Sequence, residues 1–251
     1  MGKSPIIFAH RGASGYEYEN TISAFDKAVE LGANGIEIDC WLLKDGSIAI
    51  HHDRFIHTAG KFPKNISKMT KEDLNCIQLP NGSTIPLIQE VFGRYKTSRD
   101  LNGVPIKFSI DLQDLKVGMV LARIIVELNL VDRVYLCSHN VVSLHRIRKY
   151  HPRIKLIASN VEKIVNKSKF PCVQDFSSIN ILAINLEGKI ITDAILDKIR
   201  KYSYQVFIWG LHSANSLQKC LKFHPNAIYT NYPDIAFELI NHNKINDTSH
   251  A

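Results

Sequence analysis

Histidine, arginine and carboxylate side chains are concentrated in the first fifty-three residues of the chain, in a pattern that suits phosphodiester chemistry. Four short motifs follow one another: His10-Arg11-Gly12, Glu19-Asn20-Thr21, Glu37-Ile38-Asp39 and His52-Asp53. Cleavage of a phosphodiester needs a base for the attacking oxygen, an acid for the leaving alkoxide and positive charge near the phosphoryl oxygens. Imidazoles near neutral pH, a guanidinium and a carboxylate-bound cation are suited to these three tasks.

Paired carboxylates on one predicted strand indicate a site for a hard divalent cation. Side chains two residues apart on a strand point to the same face, so Glu37 and Asp39 are expected to project together. These two acids repel each other. Mg²⁺ or Ca²⁺, bound by the carboxylate oxygens, would remove the energetic cost of that repulsion. Asp111 repeats the geometry on the next predicted strand, with Gln113 on the same face. We therefore predict a metal site at Glu37, Asp39 and Asp111, and the alternative is a set of solvated strand-end acids.

His10, Arg11 and His52 are predicted to act on the phosphate itself. His10 and Arg11 follow the apolar run Ile6–Ala9, so these side chains begin where the chain leaves the core. Two imidazoles can remove one proton and deliver another, and an arginine can donate two hydrogen bonds to non-bridging phosphate oxygens. We therefore predict that the histidines form an acid–base pair and that Arg11 contacts substrate.

The elements that would carry these side chains alternate between short apolar strands and amphipathic helices, which predicts an α/β fold, a TIM (β/α)8 barrel. Eight strands are predicted, at Ile6–Ala9, Gly35–Asp39, Ile106–Leu112, Arg133–Cys137, Ile154–Ile157, Ile181–Asn185, Gln205–Trp209 and Ala227–Tyr229. Catalytic groups in such barrels lie at the carboxyl ends of the strands, so the motifs would meet at one end. An open doubly wound sheet is the alternative, but the chain lacks a GxGxxG fingerprint.

Helices are predicted between these strands, at Asn20–Leu31, Lys116–Leu128, Val141–Tyr150, Asp193–Tyr202, Ser213–Phe223 and Ile235–Asn241. An additional strand, Ser47–His51, is predicted to form a hairpin with the second strand across the Asp45-Gly46 turn. The alternation is interrupted between residues 54 and 86. We predict a single domain over residues 1–251 in which residues 54–86 form a small inserted subdomain.

Charge and cysteine content limit the partners of the chain. Lys and Arg number 31 against 24 Asp and Glu, and residues 146–169 hold eight of the basic residues and one acid. This segment is either a weak contact site for an anionic membrane or a solvated helix face. No nucleic-acid motif accompanies it, so no nucleic-acid partner is expected. Five cysteines without CxxC spacing, and the absence of a long apolar run, predict a cytoplasmic location.

Taken together, the motifs resemble the glycerophosphodiester phosphodiesterase family. The match runs through His10–Phe25, Gly35–Asp39, Leu43–Gly46 and His52-Asp53, with weaker agreement at Ile85–Glu90, Ser138–Asn140, Trp209 and Tyr229–Asp234. It therefore extends over nearly the whole chain, and its N-terminal motifs are highly specific.

The resemblance implies metal-dependent hydrolysis of a small-molecule glycerophosphodiester to an alcohol and sn-glycerol 3-phosphate. It assigns Mg²⁺ or Ca²⁺ to the three acids and acid–base catalysis to His10 and His52. It assigns substrate contacts to Arg11, Gln113 and Trp209. In the mechanism implied by the family, the neighbouring glycerol hydroxyl attacks phosphorus and water then opens a cyclic phosphate.

Three departures from the family pattern affect the substrate contacts, one of which is His57-Thr58-Ala59 in place of the usual Arg-Thr-Thr. The family usually has Glu-x-Lys on its third strand, where this chain has Asp111-Leu112-Gln113 and so lacks the positive charge. The motif Trp-Thr-Val-Asn is replaced by Trp209-Gly210-Leu211-His212. Two alternatives therefore remain open. One is a phosphodiesterase like lysophospholipase D or sphingomyelinase D, which an apolar mouth would favour. The other is a catalytically weakened phosphodiester-binding protein, against which the retained histidines argue.

Overall fold

The computed structural model describes residues 4–57, 62–159, 176 and 178–248. In this part of the chain the strands are β1 (Ile6–Ala9), β2 (Gly35–Leu42), β3 (Ile48–Ile50), β4 (Phe55–Ile56), β5 (Lys64–Asn65), β6 (Lys107–Leu112), β7 (Val134–Ser138), β8 (Lys155–Ser159), β9 (Ala183–Glu187), β10 (Gln205–Leu211) and β11 (Ala227–Thr230). All except β3, β4 and β5 form a closed, parallel eight-stranded barrel, which confirms the predicted TIM architecture.

Helices lie between the barrel strands: α1 (Ile22–Glu30), α2 (Lys71–Asn75), α3 (Ile88–Tyr95), α4 (Val117–Glu127), α5 (Val141–Tyr150), α6 (Asp193–Lys201), α7 (Ala214–Leu221) and α8 (Pro233–Thr248). Side chains of Thr21, Thr70, Asn140, Thr192 and Ser213 cap the starts of five of them. The six predicted helices are present, but α8 continues beyond the predicted end at residue 241. Helix α3 lies where no helix was predicted, because it is short and the side chain of its N-cap residue, Leu87, cannot cap it.

The barrel closes where β1 meets β2. The two strands pair through Phe8 with Gly35 and through Ala9 with Ile36, while the other edge of β1 pairs with β11. A Cβ atom on Gly35 would lie 2.6 Å from the Phe8 ring and 2.7 Å from the carbonyl oxygen of Lys107. Glycine is therefore required for close packing at this seam.

Two kinds of side chain fill the barrel interior. Toward the amino-terminal ends of the strands, Phe8, Tyr135, Phe207 and Tyr229 form an aromatic cluster, in which the rings of Phe8 and Tyr229 stack with centroids 5.2 Å apart. Nearer the carboxyl ends, the buried side chains are polar, among them Ser159. The aromatic cluster therefore closes one end of the barrel, and the polar half opens toward the other end.

The segment predicted as an insertion forms its own small structure. Strand β3 pairs antiparallel with β2, as predicted for the hairpin, and β4 pairs with β5. Buried apolar side chains of this segment, including Ile56, Ile66 and Leu74, pack with Trp41 and Leu43 in a cluster of their own. Residues 58–61 of the segment lie outside the described residues. The division of the chain into one domain with an inserted subdomain stays a prediction.

The basic segment 146–169 is described up to residue 159. This part comprises the end of α5, the loop after it and all of β8, and its charges lie on α5, in the loop and at the start of β8, so most are near the amino-terminal ends of the barrel strands. Arg148 Nε donates to the carbonyl oxygen of Ile179 at 2.7 Å, and Lys155 Nζ donates to that of Asp132. Two of its cations therefore stabilise loops. Among the described helices, none is long and apolar enough to span a membrane. The cytoplasmic location stays a prediction.

Candidate active site

The carboxyl-terminal ends of the barrel strands surround a cavity of about 120 Å³. Its lining residues are His10, Arg11, Glu37, Asp39, His52, Ser109, Asp111, Cys137, Ser159, Asn185, Trp209 and Tyr229. Seven of the eight predicted site residues are in this set, and the eighth, Gln113, is hydrogen-bonded to one of them. The structure thus brings the predicted residues together at the expected end of the barrel.

A tight turn after β1 presents the first two of these side chains. The His10 N–H donates to the carbonyl oxygen of Thr230 at 2.9 Å, and the chain then turns through left-handed conformations at Arg11 (φ 55°) and Gly12 (φ 80°). A Cβ atom on Gly12 would lie 2.7 Å from the main chain of Ala24 in α1. The glycine of the His-Arg-Gly motif therefore allows α1 to pack against the turn.

The guanidinium of Arg11 is held by carboxylates. Arg11 Nη1 donates to both oxygens of Glu19 at 2.8 and 2.9 Å, and Arg11 Nε lies 3.2 Å from Asp39 Oδ2. The Arg11 main-chain N–H donates to Glu37 Oε2 at 2.8 Å. Glu19 was part of the motif noted in the sequence but was not assigned a role, and it acts here by orienting the arginine.

The three predicted metal-binding acids lie on adjacent strands and are buried or partly buried. Asp39 on β2 pairs in register with Asp111 on β6, and Glu37 projects to the same face. Glu37 and Asp39 are 6% and 2% exposed. Burial, followed by repulsion from Asp39, raises the pKa of Glu37 well above its usual range and that of Asp111 to about 7. The site therefore concentrates negative charge in a region of low water access.

Asp39 is also the acceptor for two side-chain amides. Asn20 Nδ2 donates to Asp39 Oδ2 at 2.9 Å, and Gln113 Nε2 donates to Asp39 Oδ1 at 2.7 Å. Asn20 is 2% exposed and adopts a left-handed conformation (φ 56°) just before α1. The sequence prediction missed the role of Asn20, although its motif was visible. Gln113 contacts a carboxylate of the site, and its contact with substrate stays a prediction.

The donor set fits a hard cation in its chemistry. In the described part of the chain, no three His, Cys, Asp or Glu side chains are already arranged to hold a metal ion. However, Glu37, Asp39 and Asp111 face one cavity, and Arg11 is the cation that offsets their charge. Oxygen ligands of this kind are those that Mg²⁺ and Ca²⁺ prefer, and either ion would relieve the repulsion. These three acids remain the residues predicted to hold a metal.

His10 is held through one ring nitrogen. His10 Nδ1 lies 2.9 Å from Asn231 Oδ1, and burial, aided by the neighbouring Arg11, lowers the pKa of His10 to about 4. The ring of His212, which follows β10, lies 6.0 Å from that of His10, measured between centroids. Sequence reasoning assigned neither Asn231 nor His212. The only available signal for His212 was its place at the altered Trp-Thr-Val-Asn motif.

His52 is held in a similar way on the other side of the β1–β2 seam. His52 Nδ1 lies 2.8 Å from Asp53 Oδ1, and its side chain is 40% exposed. Trp41 Nε1 donates to the His52 carbonyl oxygen at 3.1 Å, which ties the residue to β2. Both cavity histidines therefore use Nδ1 for a protein partner, which leaves Nε2 for a ligand.

Trp209 lines the cavity from β10. The pairing of β10 with β11 shifts register between Ile208 and Leu211, where Gly210 adopts a left-handed conformation (φ 79°). Such a bulge bends the strand locally. It therefore also changes the direction in which the neighbouring side chain, Trp209, points. Asn185, on the neighbouring strand β9, also lines the cavity and was not predicted as a site residue.

Comparisons with known proteins agree with this architecture. The profile described as "Glycerophosphoryl diester phosphodiesterase family" matches residues 10–235. The glycerophosphodiester phosphodiesterase of Caldanaerobacter subterraneus subsp. tengcongensis is 26% identical over 242 residues, covering 94% of this chain and 97% of that protein. Human lysophospholipase D GDPD1 is 22% identical over 271 residues, covering 90% and 82%. An Oleispira antarctica phosphodiesterase, solved with the product sn-glycerol-3-phosphate, shares the fold with a TM-score of 0.76 at 18% identity, covering 95% and 97%.

Proposed function

This chain belongs to the glycerophosphoryl diester phosphodiesterase family, and we propose that it uses a divalent cation to hydrolyse glycerophosphodiesters to an alcohol and sn-glycerol 3-phosphate. The enzyme class of the family is phosphoric diester hydrolase. The observation that carries the proposal is the meeting of two oriented imidazoles, an arginine and three acids in one cavity. A pure binding site would not need the imidazole pair.

The hydrogen bonds of the two histidines support different roles for them. Because Asn231 Oδ1 accepts from His10 Nδ1–H, the neutral imidazole carries its lone pair on Nε2. The lowered pKa of His10 keeps it neutral near pH 7, as a base requires. In our proposal the proton of the attacking glycerol hydroxyl moves to His10 Nε2. A proton on His52 Nε2 moves to the leaving oxygen, while Asp53 orients the ring through Nδ1, and the alcohol departs from a cyclic phosphate. Water then opens the ring: His52 Nε2 takes a proton from the water and His10 Nε2 returns its proton to the glycerol oxygen, which gives sn-glycerol 3-phosphate.

The remaining residues would bind and orient the phosphate. Arg11, fixed by Glu19, is proposed to contact the non-bridging oxygens, and Trp209 bounds the cavity from β10. Glu37, Asp39 and Asp111 would hold Mg²⁺ or Ca²⁺, which when bound supplies positive charge for the phosphoryl oxygens. That charge matters more here because Gln113 is neutral.

The test is release of sn-glycerol 3-phosphate from glycerophosphocholine by purified protein with Mg²⁺, Ca²⁺ or EDTA. We expect metal-dependent release that falls by at least about 10³-fold in His10→Ala. His145→Ala, which removes an exposed histidine on α5, is the matched control and should retain wild-type activity. Equal activity in EDTA would contradict the metal requirement, and an active His10→Ala variant would contradict the assigned base.

A lysophospholipid substrate is the second candidate, and two exposed aromatic rings favour it. Phe55, in β4, is 46% exposed, and Phe62, between β4 and β5, is 93% exposed, and both follow His52 and Asp53 closely in the chain. An acyl chain could pack against such rings. If this candidate holds, release of choline from lysophosphatidylcholine should exceed release from glycerophosphocholine, and Phe62→Ser should lower only the former.

A further inference from the structure

Three described cavity-lining residues have a buried polar atom without a hydrogen-bond partner, and one of these atoms, Arg11 Nε, still has the Asp39 carboxylate 3.2 Å away. The other two have no such counterpart. Of the side chains that the structure describes, Asn185 Oδ1 and Trp209 Nε1 are among the few buried polar groups without a hydrogen-bond partner. Asn185 is 7% exposed, and both residues line the cavity. Because an unpaired buried donor or acceptor costs about 1–3 kcal/mol, such a pair in one cavity requires a partner from outside the chain.

The position of the amide identifies what kind of partner is missing. Asn185 Nδ2 is directed to the thiol of Cys137, with Nδ2 and Sγ 3.9 Å apart, so the carbonyl end of the amide remains to be paired. An amide oxygen accepts hydrogen bonds and an indole N–H donates them. A ligand that satisfies both atoms must therefore offer a donor to Asn185 and an acceptor to Trp209, and hydroxyl groups can do both.

The two residues are also adjacent in the barrel. In the pairing of β9 with β10, Asn185 is opposite Phe207 and Trp209 is opposite Glu187, so Asn185 and Trp209 are one same-face step apart. Both side chains project inward, with Asn185 deeper and Trp209 nearer the mouth. A chain with hydroxyls on adjacent carbons, entering from the mouth, could meet them in succession.

We propose that Asn185 and Trp209 form a hydroxyl-binding subsite that holds the glycerol part of the substrate, with Asn185 Oδ1 as acceptor and Trp209 Nε1 as donor. This inference rests on the proposed function, because it assigns a substrate part to the same cavity. The surrounding wall carries hydroxyls of Ser109, Ser159 and Tyr229. The cavity of about 120 Å³ has room for a small polyol.

The subsite predicts selectivity for hydroxyls rather than for size. A site built to hydrogen-bond a hydroxyl rejects an analogue without it, because its own polar groups are then left unpaired. The phosphate is bound by other residues, so selectivity for the hydroxyls can be measured separately from phosphate binding.

The experiment compares two phosphate monoesters of equal chain length by isothermal titration with the full chain in Mg²⁺. sn-Glycerol 3-phosphate carries two hydroxyls, and n-propyl phosphate carries none. We expect the wild type to bind the first at least about tenfold more tightly. In Asn185→Leu, which keeps the number and branching of the side-chain heavy atoms but cannot hydrogen-bond, the affinity for sn-glycerol 3-phosphate should fall about tenfold, and that for propyl phosphate should change less than twofold.

Trp209→Phe removes the N–H and keeps an aromatic ring, and it provides a second variant if the leucine variant unfolds. In this variant the ratio of the affinities for sn-glycerol 3-phosphate and propyl phosphate should also be smaller than in the wild type. Equal binding of the two ligands by active wild-type protein would overturn the subsite and leave the proposed function intact. An equal loss of affinity for both ligands in Asn185→Leu would also overturn the subsite, because that result would indicate a general disruption of the cavity. If the wild type neither hydrolyses glycerophosphocholine nor binds either ligand, both the proposed function and the subsite are rejected.

Discussion

Gln113 Nε2 donates a 2.7 Å hydrogen bond to Asp39 Oδ1, across the β2–β6 pair that also aligns Asp39 with Asp111. The family pattern indicates a lysine at position 113. In this chain a neutral amide therefore lies next to the buried carboxylate of Asp39, in place of the usual positive charge. The amide satisfies one oxygen of Asp39 without offsetting its charge. Arg11 is consequently the cation that interacts with both Asp39 and Glu37.

Gln113→Lys should therefore improve catalysis. A lysine would add positive charge beside the carboxylates and near the phosphate, and we expect kcat/KM for glycerophosphocholine to rise about tenfold. Gln113→Glu, which places a like charge against Asp39, should lower it by about 100-fold. Steady-state kinetics with saturating Mg²⁺ checks both. Gln218→Lys, an exposed position on α7, controls for net charge, and a gain of equal size in that variant would refute the local explanation.

Removal of His212 should change the pH dependence of the reaction. Burial and Arg11 are the main causes that lower the pKa of His10, and the nearby His212 acts in the same direction. His212→Ala should therefore raise the pKa of His10, so the acidic limb of the kcat/KM profile moves to higher pH. The profile of His145→Ala should coincide with that of the wild type. A limb that stays in place in His212→Ala would show that the two rings are not coupled.

Metal binding should stabilise the fold through the buried acids. Because Glu37, Asp39 and Asp111 repel one another, we expect Mg²⁺ to raise the thermal unfolding midpoint of the EDTA-treated protein. Asp111→Asn removes one of the charges, so this variant should melt higher than the wild type in EDTA and gain less from Mg²⁺. Differential scanning calorimetry measures both. Asp197→Asn, on the exposed face of α6, is the control and should have the same midpoints as the wild type. A wild-type unfolding midpoint that is the same with and without Mg²⁺ would contradict the metal site.

Asp26 should stabilise the packing of α1 against α3 in a pH-dependent manner. Burial tends to raise the pKa of Asp26, but hydrogen bonds from Arg94 Nε and Nη2 and from the Tyr95 hydroxyl outweigh it and lower that pKa. A lowered folded-state pKa gives stability that is present above the usual range of aspartate and is lost as pH falls through the folded-state value.

Asp26→Asn should therefore be less stable than the wild type at pH 7, by a small amount because the pair is partly exposed. The difference should shrink between about pH 5 and about pH 3. Urea unfolding at several pH values measures it. Asp132→Asn, at an exposed loop, is the control, and a difference that grows toward low pH would contradict the assigned role.

The barrel could be predicted from the sequence because each strand is marked by a local pattern of apolar residues. Short apolar runs such as Val134–Ser138 and Ala183–Glu187 lie between helices whose periodicity and caps are local properties. Helix α3 was missed because its N-terminal Leu87 makes no side-chain cap. The same local reasoning located Glu37 and Asp39, since alternation along one strand fixes their common face.

The partners of the site residues could not be read from the sequence, because they depend on distant contacts. His10 is oriented by Asn231, which is 221 residues away, and Asp39 by Asn20 and Gln113. Alternation also predicts that Asn185 faces inward, but not that its carbonyl oxygen lacks a donor. That property appears only when the neighbouring strands are assembled.

The bond between His10 and Asn231 has a consequence for the synthesis of the protein. The ribosome makes the proposed base 221 residues before its orienting partner, and β1 lacks one of its two neighbours until β11 has emerged. A nascent chain therefore carries both histidines and all three acids long before the barrel can close around them. Hydrolytic activity should therefore begin only after β11 has emerged and the barrel has closed.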